Sequence, residues 1–360
     1  MRLQPIFVYS LLILLIFGSL DAEAQRRSKY GKSKNKNKAI TRYHGGMVGG
    51  RFRPYEFAGL NINALNYYGD LAPLSRAAST DVSFTRPGFG FNFGYKFQSQ
   101  MAVRAGLNWG RLQGSDFSAD PALEVSGGRY QRNLSFRNDI YEFHLGLQIY
   151  LFPNYGGPNV RLPFNAYVFA GGGVFYHDPK GLVPDFDYQS DPNGSVAAPQ
   201  AGNWVSLRKL GTEGQNLGTI DKKPYSPIQL SIPFGIGARL RIPDTPFDVG
   251  LEIGYRYLFT DYVDDVSGTY VKLDEFDDPV ARIMSARGAE AVDALSGDPR
   301  ENISVGQGTG MSYYVESNEG GGDTTGQNRG NPKDNDAYIV TTLKVTYILG
   351  TRKNQGAKHR

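Results

Sequence analysis

Between residues 88 and 97 the chain alternates without a break. Phe89, Phe91, Phe93, Tyr95 and Phe97 occupy the odd positions, and Gly88, Gly90, Asn92, Gly94 and Lys96 the even ones. The same period of two runs through 101–110, where Val103, Leu107 and Trp109 alternate with Arg104, Gly106 and Asn108. It recurs in 140–151, where Tyr141, Phe143, Leu145, Leu147 and Ile149 alternate with Glu142, His144, Gly146 and Gln148, and again in 228–242 and 247–259. Successive side chains of a strand point to opposite faces, so each segment predicts a strand with one apolar face and one small or polar face. Weaker alternation at 57–65, 167–176 and 337–349 brings the number of strands to eight. The run Gly171-Gly172-Gly173 leaves the two faces of the 167–176 segment undecided.

The connections decide what kind of all-β fold this is. In chain order they span 66–83, 98–100, 113–137, 153–163, 177–227, 243–246 and 261–335, so long and short segments alternate throughout. Outer-membrane barrels have short turns at one end and long loops at the other, whereas a soluble sandwich has no reason to keep every long loop at one end. The expected fold is an all-β, eight-stranded antiparallel up-and-down transmembrane β-barrel over 55–349, with long outer loops at 177–227 and 261–335. Both termini then lie on the periplasmic side.

In that barrel the Phe, Leu, Ile and Val face meets lipid, and closure satisfies every backbone donor and acceptor. Tyr67, Tyr68, Trp109, Tyr150, Tyr176, Tyr257, Tyr262 and Tyr347 near strand ends are expected in the interfacial girdles. The inward face carries Lys96, Arg104, Glu142, Arg239, Arg241, Asp248, Glu252, Arg256 and Lys344 among many glycines. Eight strands enclose an interior just wide enough for side chains. The lumen is therefore expected to be filled by ion pairs, with Arg104 or Arg256 meeting Glu142 or Glu252 and Arg239 in the same network. Such a lumen is no conduit for protein.

Composition agrees and narrows the chemistry. The 360 residues include 45 Gly, 23 Tyr, 21 Phe and no Cys, and mean hydropathy is −0.40. Disulfides, thiol nucleophiles and Cys-bound metals are excluded. Arg2, the apolar stretch 6–20 and Ala22-Glu23-Ala24 read as a secretory signal peptide over 1–24. No later apolar run suits a spanning helix. A net charge of +4 hides an uneven distribution. Residues 25–54 form a basic tail in which Arg26, Arg27, Lys29, Lys32, Lys34, Lys36 and Lys38 stand without an acid among them. Residues 350–360 form a second basic tail, and the body between is net acidic. Secretion argues against nucleic acid as the target of the lysine run. It is either a solvated arm or a contact for an acidic periplasmic partner or anionic headgroups.

Nothing in the body assembles a catalytic set. Of the four histidines, His144 lies on the inward face beside Glu142, and His177 opens a loop with no Ser placed beside it by local sequence. The acids Asp261, Asp264, Asp265, Asp274, Glu275, Asp277 and Asp278 fit no EF-hand spacing and read as an acidic, solvated outer loop. The glycine triplet lies inside a strand, where it permits a bend or close strand contact. No enzymatic activity, metal, cofactor, nucleic acid or small-molecule substrate is expected.

Four stretches carry a family likeness: Asn63-Ala64-Leu65-Asn66-Tyr67-Tyr68-Gly69-Asp70-Leu71, Arg86-Pro87-Gly88-Phe89-Gly90, Arg132-Asn133-Leu134-Ser135-Phe136-Arg137, and the run from Tyr255 to Ser267. In their order and spacing, from about Arg51 to Leu349, they resemble the PorG barrel family of the Bacteroidetes type IX secretion system. That resemblance implies an outer-membrane component that associates with a periplasmic PorK–PorN ring, and it implies no catalytic residues. The other reading is a free-standing barrel of the OmpA/OmpX-like kind, with a structural or adhesive role.

Overall fold

Each period-two segment forms a strand, and the strands run longer than the alternation alone marks. They are β1 (Tyr55–Tyr68), β2 (Arg86–Lys96), β3 (Met101–Ser115), β4 (Ser135–Tyr150), β5 (Phe164–Tyr176), β8 (Ile228–Arg241), β9 (Phe247–Leu258) and β10 (Ala337–Ile348). Two short strands, β6 (Lys180–Leu182) and β7 (Trp204–Ser206), and two short helices, α1 (Leu207–Leu210) and α2 (Pro279–Ser285), lie in the long loops. This computed structural model describes residues 52–72, 85–118, 129–191, 194–218, 222–300 and 328–350. The signal peptide, the lysine run with Arg26, Arg27, Lys29, Lys32, Lys34, Lys36 and Lys38, and the basic residues after 350 lie outside the described residues.

The eight long strands pair antiparallel with their neighbours, and the circle closes where β1 pairs with β10. Every second residue therefore faces the lumen. Long connections leave one end and short ones the other, as the alternation of lengths predicts. In β5 the lumen takes the odd positions, including Tyr167, Phe169 and Phe175, which resolves the ambiguous segment. Gly171 sits so close to β4 that a Cβ would stand 2.1 Å from the Leu145 carbonyl oxygen.

The outward face is a lipid-facing belt. Leu60, Phe91, Leu107, Leu145, Ile236 and Leu251 are all at least 45% exposed, a waste of apolar area in water that becomes favourable against hydrocarbon. Trp109, Tyr141, Tyr176 and Tyr257 ring the long-loop end of this belt, and Tyr95, Phe152, Phe247 and Tyr347 ring the other. Between the rings no outward strand position is charged; Arg111 and Asp139 pair at 2.7 Å just beyond the long-loop ring. Four of the expected girdle residues are elsewhere. Tyr67, Tyr68 and Tyr150 are each under 10% exposed, buried with the core rather than at the rim. Tyr262 stacks on Tyr225 in the loops, with ring centroids 4.6 Å apart.

Candidate functional site: lumen network and outer cap

The lumen is built in layers. At mid-height Arg104 Nη1 lies 2.6 Å from Glu252 Oε1, and Lys344 Nζ and the Tyr167 hydroxyl donate to the same oxygen. Arg256 Nε donates to Glu142 Oε1 at 3.1 Å, and His144 Nδ1 stands 3.4 Å from the other Glu142 oxygen. Ser231 and Asn108 donate to Glu142 as well, at 3.2 and 3.3 Å. The two expected acids thus meet the two expected arginines, with Lys344 as a third cation. Toward the short turns, Asp248 is held between Arg239 at 2.8 Å and Arg161 at 3.0 Å. Arg161 comes from the 151–163 turn and reaches in across the mouth. That contribution carries no periodic signal, so sequence reasoning missed it. Enclosed spaces of about 30 Å³ around Glu142, Glu252 and the asparagines, and about 20 Å³ beside Arg239, remain between these groups. Spaces of this size hold water molecules and nothing larger.

Above the charges the lumen turns apolar. Leu65, Leu112, Phe136, Ile140, Phe175, Leu258 and Val340 form a layer that continues into Leu71, Val183, Leu207, Val263, Val266, Ile283 and Met284 from the long loops. The loops therefore share one core with the barrel top and make a cap. Tyr67 meets Phe136 edge-on at 4.8 Å, and a second cluster of Tyr270, Val271, Leu273, Phe276, Ala281 and Ala286 lies within the cap itself.

This cap corrects the expectation of a solvated acidic loop. Asp264 and Asp265 are fully buried, whereas Asp274, Asp277 and Asp278 are exposed and Asp278 caps α2 through the Val280 amide. Some cap acids meet cations. Arg132 grips Asp116 with two bonds of 2.7 and 2.8 Å. Glu213 takes Lys222 at 2.8 Å and Arg329 at 3.3 Å; burial pushes Glu213 up, but those two cations outweigh it and hold it below the usual carboxylate range.

Asp264, Asp336 and Asp261 form no ion pair among the described residues, while Asp265 lies 3.8 Å from Arg329 Nη2. The Tyr67 hydroxyl lies 2.6 Å from both Asp264 Oδ2 and Asp336 Oδ1. A tyrosine has one proton to donate, so one of the two carboxyl groups must carry a proton of its own and donate it to the tyrosine oxygen. Asp264 also accepts from the Leu71 and Val266 amides, at 3.2 and 2.9 Å, and Asp336 from the Val263 amide at 2.8 Å. Burial and then the neighbouring Asp70 push Asp264 up to about 8; burial and then Asp264 push Asp336 well above its ordinary value. Asp336 is accordingly the proton donor to Tyr67, which in turn donates to Asp264. Burial, and next Asp264, raises Asp261 to about 9. Asp265 rises to about 6 through burial, which Arg329 only partly offsets.

His177 is fully buried, its ring stacked on Tyr225 with centroids 5.7 Å apart and its Nε2 3.2 Å from the Ser226 carbonyl oxygen. Burial lowers it to about 4, so it is neutral at physiological pH. Among the described residues, no group of three His, Asp or Glu side chains has the arrangement to hold a metal ion.

With this geometry in view, the chain can be set beside known proteins. A family model described as a domain of unknown function, DUF6089, matches residues 55–206, from β1 to β7 and less than half of the chain. No curated protein matches it. Among solved structures it is similar to Neisserial surface protein A (7% identity, 81% of this chain and 96% of that one, TM-score 0.32). It is similar also to Ail, the attachment invasion locus protein of Yersinia pestis, crystallised with the heparin analogue sucrose octasulfate (8%, 82% and 97%, 0.31). A third is the N-terminal barrel domain of Pseudomonas aeruginosa OprF (7%, 82% and 100%, 0.29). The strand pairing itself carries the assignment: the chain is a closed, eight-stranded transmembrane β-barrel.

Proposed function

We propose that this barrel is an outer-membrane component of a type IX protein secretion machine, fixing a periplasmic ring assembly to the membrane without conducting cargo. One observation carries the second half of that reading. The lumen is occupied by ion pairs and sealed above by an apolar layer, and the spaces within it, about 30 and 20 Å³, are the size of single waters. A folded or extended chain has no route through it.

The secretion assignment rests on the PorG resemblance. Three of the four stretches that carry it meet at the base of the cap. Tyr67 and Leu71 from the first bond Asp264 from the last, and Arg132 from the third donates to the Asp70 carbonyl oxygen at 3.0 Å. A second reading, a free-standing structural or adhesive barrel, is favoured by the cap itself, which projects a hairpin-like excursion with Phe186 and Val196 exposed.

Tagged barrel extracted from outer membranes in mild detergent separates the two. Under the secretion reading, periplasmic ring lipoproteins of the PorK–PorN kind co-purify, and deleting the gene strands cargo in the periplasm. Recovery of the barrel alone, with normal export in the deletion strain, supports the free-standing reading instead.

A further inference from the structure

Just beyond the long-loop ring of the belt, positive charge collects on one arc of the outward face. Arg111 of β3 and Asp139 of β4 stand opposite each other, and Arg111 takes both Asp139 oxygens, at 2.7 and 3.1 Å. One rung further out, Arg137 stands between Gln113 of β3 and Lys180 of β6. Lys180 shares this outward face because its neighbour Gly181 faces the other way, where a Cβ would collide with Met284 of the cap core. Like charges directly opposite across two strands repel. Neither Arg137 nor Lys180 has an ion-pair partner among the described residues. The other acid nearby, Asp178, accepts from the Ser206 hydroxyl.

The Arg137 guanidinium carbon lies 4.0 Å from the centroid of the Trp204 ring, and Arg137 Nε has no acceptor. An arginine held against an aromatic face with its N–H groups unspent is suited to planar, bidentate recognition of phosphate. Depth points the same way. Arg111 and Arg137 follow Trp109 and Tyr141 of the aromatic ring by two and four residues, about 7 and 13 Å along tilted strands, which is headgroup depth and not hydrocarbon. Below the ring the outward surface is an apolar depression lined by Leu107, Phe143 and Val174 among others, a bed for acyl chains.

We infer that Arg137 and Lys180, with Arg111 beside them, bind the phosphate of a phosphate-bearing lipid in the leaflet at the long-loop end, its acyl chains lying on the apolar surface beneath. The lipid supplies the counter-charge that the arc lacks and ties β3 and β4 to the cap strand β6. The inference rests on the belt and the arc, and is independent of the secretion reading.

The test uses the full-length barrel in detergent with lipid A added, read by native mass spectrometry. Lipid A is expected to remain bound, whereas dephosphorylated lipid A, which keeps the acyl chains, is lost. Excess inorganic phosphate should leave the bound lipid in place, because the chains contribute to binding. The double variant Arg137→Gln with Lys180→Gln should hold lipid A about tenfold or more weakly, the effect of losing a charge-assisted contact. If that variant does not refold, the comparison of the two lipids on the parent protein still decides the matter. Equal retention of both lipids, or of lipid A by parent and variant, would overturn the inference. So would displacement of the lipid by inorganic phosphate, or capture of a soluble sulfated polysaccharide in place of lipid A.

Discussion

Glu252 in the lumen and Asp336 in the cap are both buried carboxyl groups, yet their surroundings are opposite. Glu252 stands among Arg104, Lys344 and the Tyr167 hydroxyl, an environment that rewards negative charge. Asp336 faces a tyrosine hydroxyl, a backbone amide and the acids Asp264 and Asp261, an environment that rewards a proton. The lumen has more cations than carboxylates, whereas Asp264, Asp336 and Asp261 at the base of the cap form no ion pair among the described residues. The same functional group is therefore an ion-pair partner in one region and a neutral hydrogen-bond donor in the other.

The sharpest way to break this contrast is to make the same chemical change in both places. Glu252→Gln leaves Arg104 and Lys344 buried without their counter-ion and is expected to destabilise the barrel by about 3–5 kcal/mol, the usual effect of removing one partner of a buried pair. Urea unfolding from lipid vesicles measures it. Asp336→Asn, the last and smallest of the effects considered, should change stability by under about 1 kcal/mol at neutral pH. The new amide can donate to Tyr67 and accept from Val263 much as the protonated acid does.

Next in size is the seam between the two regions. Phe136 is fully buried and touches Tyr67 edge-on, so Phe136→Ala should destabilise by about 3–5 kcal/mol. Because its layer joins cap to lumen, protease sensitivity of the cap and unfolding of the barrel should both increase.

A pH titration sharpens the comparison further. Asp265, Asp264 and Asp261 are raised to about 6, 8 and 9, and Asp336 well above its ordinary value. A carboxyl group whose folded value is raised binds more protons folded than unfolded, so its contribution is complete below the unfolded value near 4. That contribution fades as pH rises through the folded value. Cap stability should therefore fall between about pH 5 and 9, seen as faster hydrogen exchange or proteolysis of residues 259–267. Asp336→Asn should flatten that slope. A cap that tightens with rising pH would contradict the proton count at Tyr67.

The barrel was legible because a period of two over eight segments leaves few alternatives, and because lipid demands closure. The lumen pairs were legible for a simpler reason: parity places only Glu142, Asp248 and Glu252 as acids inside, so the arginines have little choice. Tyr67 and Tyr150 could also have been placed from parity. Tyr67 shares its face with Asn61, Asn63 and Leu65, and Tyr150 with Glu142, His144 and Gln148; position near a strand end outweighed that signal in the girdle assignment. The cap was not legible. Asp264 and Asp265 read as solvated because nothing local announces that β1, the 113–137 loop and the segment before β10 fold over them. Long-range contacts of irregular loops leave no period.

The account's central claim is that the barrel is a filled anchor and not a channel, and electrical recording from single barrels in planar lipid bilayers tests it most directly. The account predicts that the purified full-length protein inserts without opening steady conductance steps, since only water-sized spaces lie among the ion pairs and an apolar layer closes the top. A stable ion conductance through individual inserted barrels would contradict it.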